Sequence, residues 1–153
     1  AESAATNEQH DELARNQADG PGNSARSALD FLESIHRRKT GALFAASLDL
    51  GAVLCGAEDL QRQALAAFAA DIGLAFQDVD DLLDHTADET KLGKRVGKDA
   101  ERGKLTYPGL LGIDGARTFA DTLIQSAKKQ TSVFGSAAWR LNELADYVLA
   151  RSH

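Results

Sequence analysis

Large apolar side chains recur at helical spacing from Leu29 onward. Leu29, Leu32, Ile35, then Phe44, Leu48 and the run Leu50 to Leu54 predict one long helix, with Gly41 as an irregularity inside it. Gly56 is placed to end that helix, and Glu58-Asp59 set negative charge on the first turn of the next, where the backbone dipole favours it. The second helix is expected to run through Leu83. Between Leu92 and Gly115, Gly93, Gly97, Gly103, Pro108, Gly109 and Gly112 disfavour continuous helix and predict a loop with short turns. Helical patterning returns over 116–133 and 137–151, separated by Gly135, with Ser136 as the expected N-cap. No period-two alternation and no internal repeat is found, so the fold class is all-α. Residues 1–28 carry a single large apolar side chain, Leu13, and the turn-forming run Asp19-Gly20-Pro21-Gly22-Asn23-Ser24. They are expected to be a polar arm of the composition that stays disordered, leaving 29–153 as the helical domain.

Composition narrows the function. The 153 residues carry 17 Lys+Arg against 23 Asp+Glu, a net charge of -6, which disfavours nonspecific binding to polyanions such as nucleic acid. Hydrophobic content of 43% with 26% charged residues is that of a globular chain, and no apolar window reaches the ~18 residues of a membrane span. The opening Ala1-Glu2-Ser3-Ala4-Ala5 has no basic or apolar export region, so a cytoplasmic location is the expectation. Cys55 is the sole cysteine. That excludes an internal disulfide and any multi-cysteine zinc site, and its neighbours Val53, Leu54 and Ala57 suggest a core thiol. Trp139 and Phe119 are likewise expected in the core, and His36 and His85 are read as structural histidines rather than ligands.

Candidate chemistry concentrates in residues 73–84. On a wheel with Gln77 as origin, Asp80, Asp81 and Asp84 fall at about -60°, +40° and -20°, while Ile72, Ala75, Phe76, Val79, Leu82 and Leu83 lie opposite. An apolar face packed on a core would therefore gather three carboxylates on the other side, and their repulsion calls for a cation. Hard oxygen ligands one turn apart suit Mg²⁺ that keeps several waters and takes further ligands from a substrate phosphate. From Asp71 to Thr90 there are acidic residues and no Lys or Arg, whereas Lys91, Lys94, Arg95, Lys98, Arg102 and Lys104 follow at once. Such segregation fits a diphosphate held between a metal on carboxylates and a set of ammonium groups. A third basic group, His36-Arg37-Arg38-Lys39-Thr40, interrupts the first helix, and its ammonium beside a hydroxyl also suits phosphate. Taken singly, each feature is an ordinary solvated surface: an acidic outer helix face, a basic loop, a helix-end cluster of arginines.

The blocks Gly73-Leu74-Ala75-Phe76-Gln77, Asp80-Asp81-x-x-Asp84, Leu92-Gly93-Lys94-x-x-Gly97-Lys98-Asp99 and Gly103-Lys104-x-Thr106-Tyr107-Pro108 resemble the second aspartate-rich region of trans-isoprenyl diphosphate synthases. Farnesyl and geranylgeranyl diphosphate synthases belong to that family. His36 to Leu43 resembles its upstream lysine-threonine segment, and Leu144 to Val148 its C-terminal end, so the resemblance runs from about Leu29 to His153. It implies the C-terminal half of an isoprenoid-synthase-type helical bundle and a Mg²⁺-dependent prenyltransferase that condenses an allylic diphosphate with isopentenyl diphosphate. By the same resemblance Asp80 is a direct metal ligand, with Asp81 and Asp84 acting directly or through metal-bound water. Lys39, Lys94 and Lys104 hold the allylic diphosphate, Thr40 and Gln77 steady positive charge at the reacting carbons, and Phe76 touches isoprenoid.

One departure matters. Upstream of residue 73 the adjacent acidic pairs are Asp11-Glu12 and Glu58-Asp59, and neither continues into the family's first Asp-Asp-x-x-Asp. A metal-diphosphate clamped from one side is held weakly, so the chain is expected to have little or no activity alone. Helices that would pack on another half present apolar stripes, which favours a homo-oligomer or a complex with a subunit supplying that half. The alternative is a non-catalytic pseudoenzyme or regulatory subunit binding isoprenoid diphosphate or a full synthase. A calcium loop starting at Asp78 is excluded by Leu82 and Leu83 in its fifth and sixth positions, and a terpene cyclase lacks the Gly93 to Lys104 block.

Overall fold

The computed structural model describes residues 21–91 and 105–151. Five α-helices account for most of them: α1 (Pro21–His36), α2 (Ala42–Leu54), α3 (Asp59–Lys91), α4 (Tyr107–Gln130) and α5 (Trp139–Ala150). A five-residue π-helical turn, Arg37–Gly41, joins α1 to α2, and a 3₁₀ segment, Thr131–Ala138, joins α4 to α5. No strand occurs among the described residues, as the all-α reading requires.

The 33-residue α3, ~50 Å long, is the axis of the structure. Its most extensive contact is with α4, and α2, the π-turn and α5 lie against its other sides. The main core joins Phe68, Ile72, Ala75 and Val79 of α3 to Ala120, Ile124 and Ala127 of α4 and to Ala145 and Val148 of α5. Small side chains at 116, 120 and 127 let α4 approach α3 closely. A second cluster closes the far end of α3 with Leu32, Leu82, Tyr107 and Ala116. The Lys128–Asp146 ion pair ties α4 to α5 at the surface.

Gly56 ends α2 with φ at 66°, a conformation that costs glycine nothing and other residues about 1–2 kcal/mol. Gly41 interrupts the first helical stretch as a π-turn. A different constraint acts at Gly73: a Cβ there would stand 2.9 Å from the Gly41 Cα, so α3 and the π-turn cross backbone to backbone.

Several expectations are corrected. Helix α1 starts at Pro21 rather than Leu29, because proline is compatible with a first helical turn where its missing N–H is not needed. Residues 23–27 are exposed, so that extension buries little. Helix α3 continues past Leu83 to Lys91 through residues with no apolar periodicity to reveal it. Helix α4 begins at Tyr107, inside the stretch read as loop: the Thr106 hydroxyl caps it by accepting from the Gly109 N–H at 3.2 Å, and Pro108 sits in the first turn. It then breaks at Gly112, where the loop reading holds. Ser136 is not the cap of α5; that position is Ala138, which has no side-chain cap. Cys55 is exposed at the end of α2 rather than buried, and Trp139 is 49% exposed with the Arg140 guanidinium stacked on its ring.

Candidate functional site

The site is assembled where the π-turn meets α3. Close approach of Gly41 to Gly73 sets the turn one helical turn from Gln77. Within the turn, Arg37 pairs with Glu33 at 3.2 Å, and Arg38 donates to the Ser34 carbonyl at 3.1 Å and hydroxyl at 3.2 Å. Both arginines are thus drawn back onto α1. Lys39 is exposed and makes no ion pair among the described residues, and Thr40 beside it is half-buried.

On α3 the acidic residues occupy three different environments. Asp80 is half-exposed; its Oδ1 accepts from Arg151, the C-cap of α5, at 2.9 Å, and its Oδ2 lies 3.5 Å from the Gln77 amide nitrogen, the outer limit of hydrogen bonding. Asp84 is exposed one turn further along. Asp81 is 7% exposed, and its Oδ2 accepts the Tyr107 backbone N–H at 3.2 Å across the α3–α4 contact. The expected single patch is therefore divided, because α4 covers the side of α3 that carries Asp81. Among the described residues no three carboxylate, histidine or cysteine side chains gather into a preformed metal cage. Two carboxylates on one helix face, with a guanidinium already standing in as cation at the first, do suit an open Mg²⁺ that keeps its waters and completes its shell with substrate oxygens.

Phe76 is half-buried beside Phe44, ring centroids 5.7 Å apart, and carries the Arg151 guanidinium 4.7 Å above its ring. Gln77 is 8% exposed. Phe76, Gln77, Asp80 and Asp84 thus follow along successive turns of α3, and the turn that bears Lys39 and Thr40 meets that helix through Gly41 at Gly73. Lys94 and Lys104 lie outside the described residues.

Three features escaped the sequence reading. Asp78, counted there among the segregated acids, is fully buried, and no hydrogen bond of ordinary geometry reaches either carboxylate oxygen. Burial and the neighbouring Asp81 charge push its pKa up to about 8, offset only in part by the Ala120 amide. Burial and the neighbouring carboxylate thus both favour the protonated form of Asp78, as expected where two carboxyls share one buried site. Tyr107 is fully buried between His36, stacked at 5.5 Å, and Phe119 at 5.3 Å. Burial raises the pKa of its hydroxyl, and the carboxylates of Glu33, Asp78 and Asp81 raise it further. Arg151 is the third. Its one sequence signal is indirect: with no Lys or Arg from Asp71 to Thr90, Asp80 has no basic neighbour within reach on its own helix.

Fold and site together define an all-α helical unit of the isoprenyl-synthase kind. Residues 5–139 match the Polyprenyl synthetase family, and the chain belongs to it. That match begins upstream of Leu29, so the arm shares in the likeness. The chain is 47% identical over 125 residues to dimethylallyltranstransferase of Fischerella ambigua (strain UTEX 1903), covering 82% of this chain and 36% of that protein. It is 47% identical over 130 residues to farnesyl diphosphate synthase of Escherichia coli (strain K12), covering 81% and 43%. The apo crystal structure of an FPP/GFPP synthase from Zymomonas mobilis superposes with a TM-score of 0.66 at 32% identity, over 89% of this chain and 49% of that one. The chain thus spans less than half the length of these relatives. Among the described residues no helix is long and apolar enough to cross a membrane.

Proposed function

We propose that this chain is the diphosphate-holding half of a trans-isoprenyl diphosphate synthase, taking an allylic diphosphate as its ligand and Mg²⁺ as its metal. The observation that carries the reading is the alignment of Phe76, Gln77, Asp80 and Asp84 along α3 beside the Lys39-Thr40 turn, secured by the Gly41–Gly73 contact. It orders an apolar surface, a neutral polar group, carboxylates and an ammonium as an allylic diphosphate orders its isoprenoid tail, reacting carbon and anionic head.

Asp80 and Asp84 would hold the metal, which when bound neutralises the diphosphate as it departs and so favours heterolysis of the allylic C–O bond. Lys39 would meet the same oxygens as a point charge, while Arg37 and Arg38 are drawn back onto α1. The Gln77 carbonyl oxygen and the Thr40 hydroxyl offer neutral dipoles to a developing carbocation, which a water molecule would quench. Phe76, packed on Phe44, shapes the wall along which the isoprenoid lies and keeps water from it. Asp81 serves the site from behind by fixing α4 against α3.

Elongation needs a second carboxylate wall that these 153 residues do not contain, and the chain alone has little or no elongation activity. The test is incorporation of labelled isopentenyl diphosphate with an allylic primer. Trace product or none is expected from this chain. A rate clearly above that of an Asp80→Ala, Asp84→Ala control would overturn the claim of inactivity.

A further inference from the structure

We propose that Arg151 is the resting counter-ion of Asp80, and that a divalent cation binding at Asp80 displaces it, so that metal loading releases the C-terminal end of α5. The inference rests on the reading of Asp80 as a metal ligand and adds a regulating contact to that site. Asp80 has no basic neighbour within reach on its own helix, since no Lys or Arg lies between Asp71 and Thr90. The charge is met instead from 71 residues away, by the Arg151 guanidinium at 2.9 Å from Asp80 Oδ1.

The same guanidinium lies over the Phe76 ring, one turn earlier on α3, so stacking and ion pairing act on it together. With Gln77 near Oδ2, both Asp80 oxygens are engaged, and an incoming cation must compete with Arg151 for Oδ1. The contact is one that can exchange. Its side chains are 31% and 37% exposed, and an ion pair so open to water shifts an equilibrium about two- to fivefold at most. Arg151 loses little on leaving, because a cation at the C-terminal end of a helix still meets the negative end of the backbone dipole.

Mn²⁺ titration of the full chain, followed by its electron paramagnetic resonance signal, tests the contact without reference to turnover. Arg151→Gln is expected to bind Mn²⁺ about two- to fivefold more tightly than the wild type. Arg140→Gln, which removes the same charge from α5 without touching Asp80, is expected to leave the affinity unchanged. Amide exchange at the end of α5 should quicken in the wild type when Mg²⁺ and inorganic pyrophosphate are added. Equal Mn²⁺ affinity in wild type and Arg151→Gln, or an equal gain in Arg140→Gln, would overturn the displacement and leave the metal assignment standing. No Mn²⁺ binding by either wild type or Arg151→Gln would overturn both.

Discussion

The Asp81 carboxylate accepts the backbone N–H of Tyr107 at 3.2 Å, joining the middle of α3 to the first turn of α4. First-turn amides have no partner within their own helix, so this bond satisfies a donor that burial would otherwise strand. It also gives one carboxylate of the aspartate triad a packing contact that Asp80 and Asp84 do not share among the described residues.

Asp81→Ala is accordingly expected to cost about 1–3 kcal/mol of stability, the penalty of an unsatisfied buried donor. Asp84→Ala, on an exposed side chain, should stay within about 0.5 kcal/mol. Urea unfolding of the two variants separates these roles, and equal losses would contradict the division of the triad.

At Gly73 the prediction concerns space. The Cβ of a Gly73→Ala variant would stand 2.9 Å from the Gly41 Cα, and backbone cannot yield as a side-chain end can. Overpacking of this kind costs about 1–3 kcal/mol. The loss would appear as a lowered denaturation midpoint, together with weaker diphosphate binding as the Lys39-Thr40 turn is pushed off α3. An unchanged midpoint would mean that the two backbones are not in contact.

Asp78 gives a pH dependence with a definite sign. Its folded-state pKa of about 8 stands above the ordinary 3.8, so the native chain holds a proton that the unfolded chain has released. Its contribution therefore weakens stability as pH rises between those values, by at most about 1.4 kcal/mol per unit. Asp78→Asn replaces the carboxyl with a group of the same shape that cannot ionise. The gap in thermal midpoint between this variant and the wild type should widen from pH 5 to pH 8 and level off above. A gap independent of pH would show that Asp78 is ionised in the fold.

Much of this could be read in the sequence, and what could not has identifiable causes. The apolar periodicity from Ile72 to Leu82 predicts the buried face of α3, and Gly41 and Gly56 mark the π-turn and the end of α2. A wheel drawn for one helix assumes one covered face. Helix α3 is covered from several sides, so Gln77, Asp78 and Asp81 are buried although they lie off the apolar stripe. Thr106 ahead of Pro108 was a cap signal hidden among glycines. Exposure of Cys55 could not be seen, because an apolar neighbourhood in sequence predicts burial only where something covers it.

That uncovered surface makes a further prediction. Leu43, Leu50 and Leu54 are 69%, 62% and 78% exposed along α2, although apolar residues lie all around this helix. A helix of that kind is normally enclosed. At tens of micromolar the chain is expected to sediment as a species larger than a monomer, and Leu50→Glu with Leu54→Glu to restore the monomer at little cost in stability. A wild type that stays monomeric and binds no hydrophobic dye would contradict it.

Equilibrium dialysis of labelled geranyl diphosphate against the chain, with Mg²⁺ and with chelator, bears most directly on the proposed site. Retention that requires Mg²⁺ and is abolished in Asp80→Ala, Asp84→Ala is the expected result. Retention unaffected by chelator, or undiminished in that variant, would contradict the assignment of these carboxylates to a metal-held diphosphate.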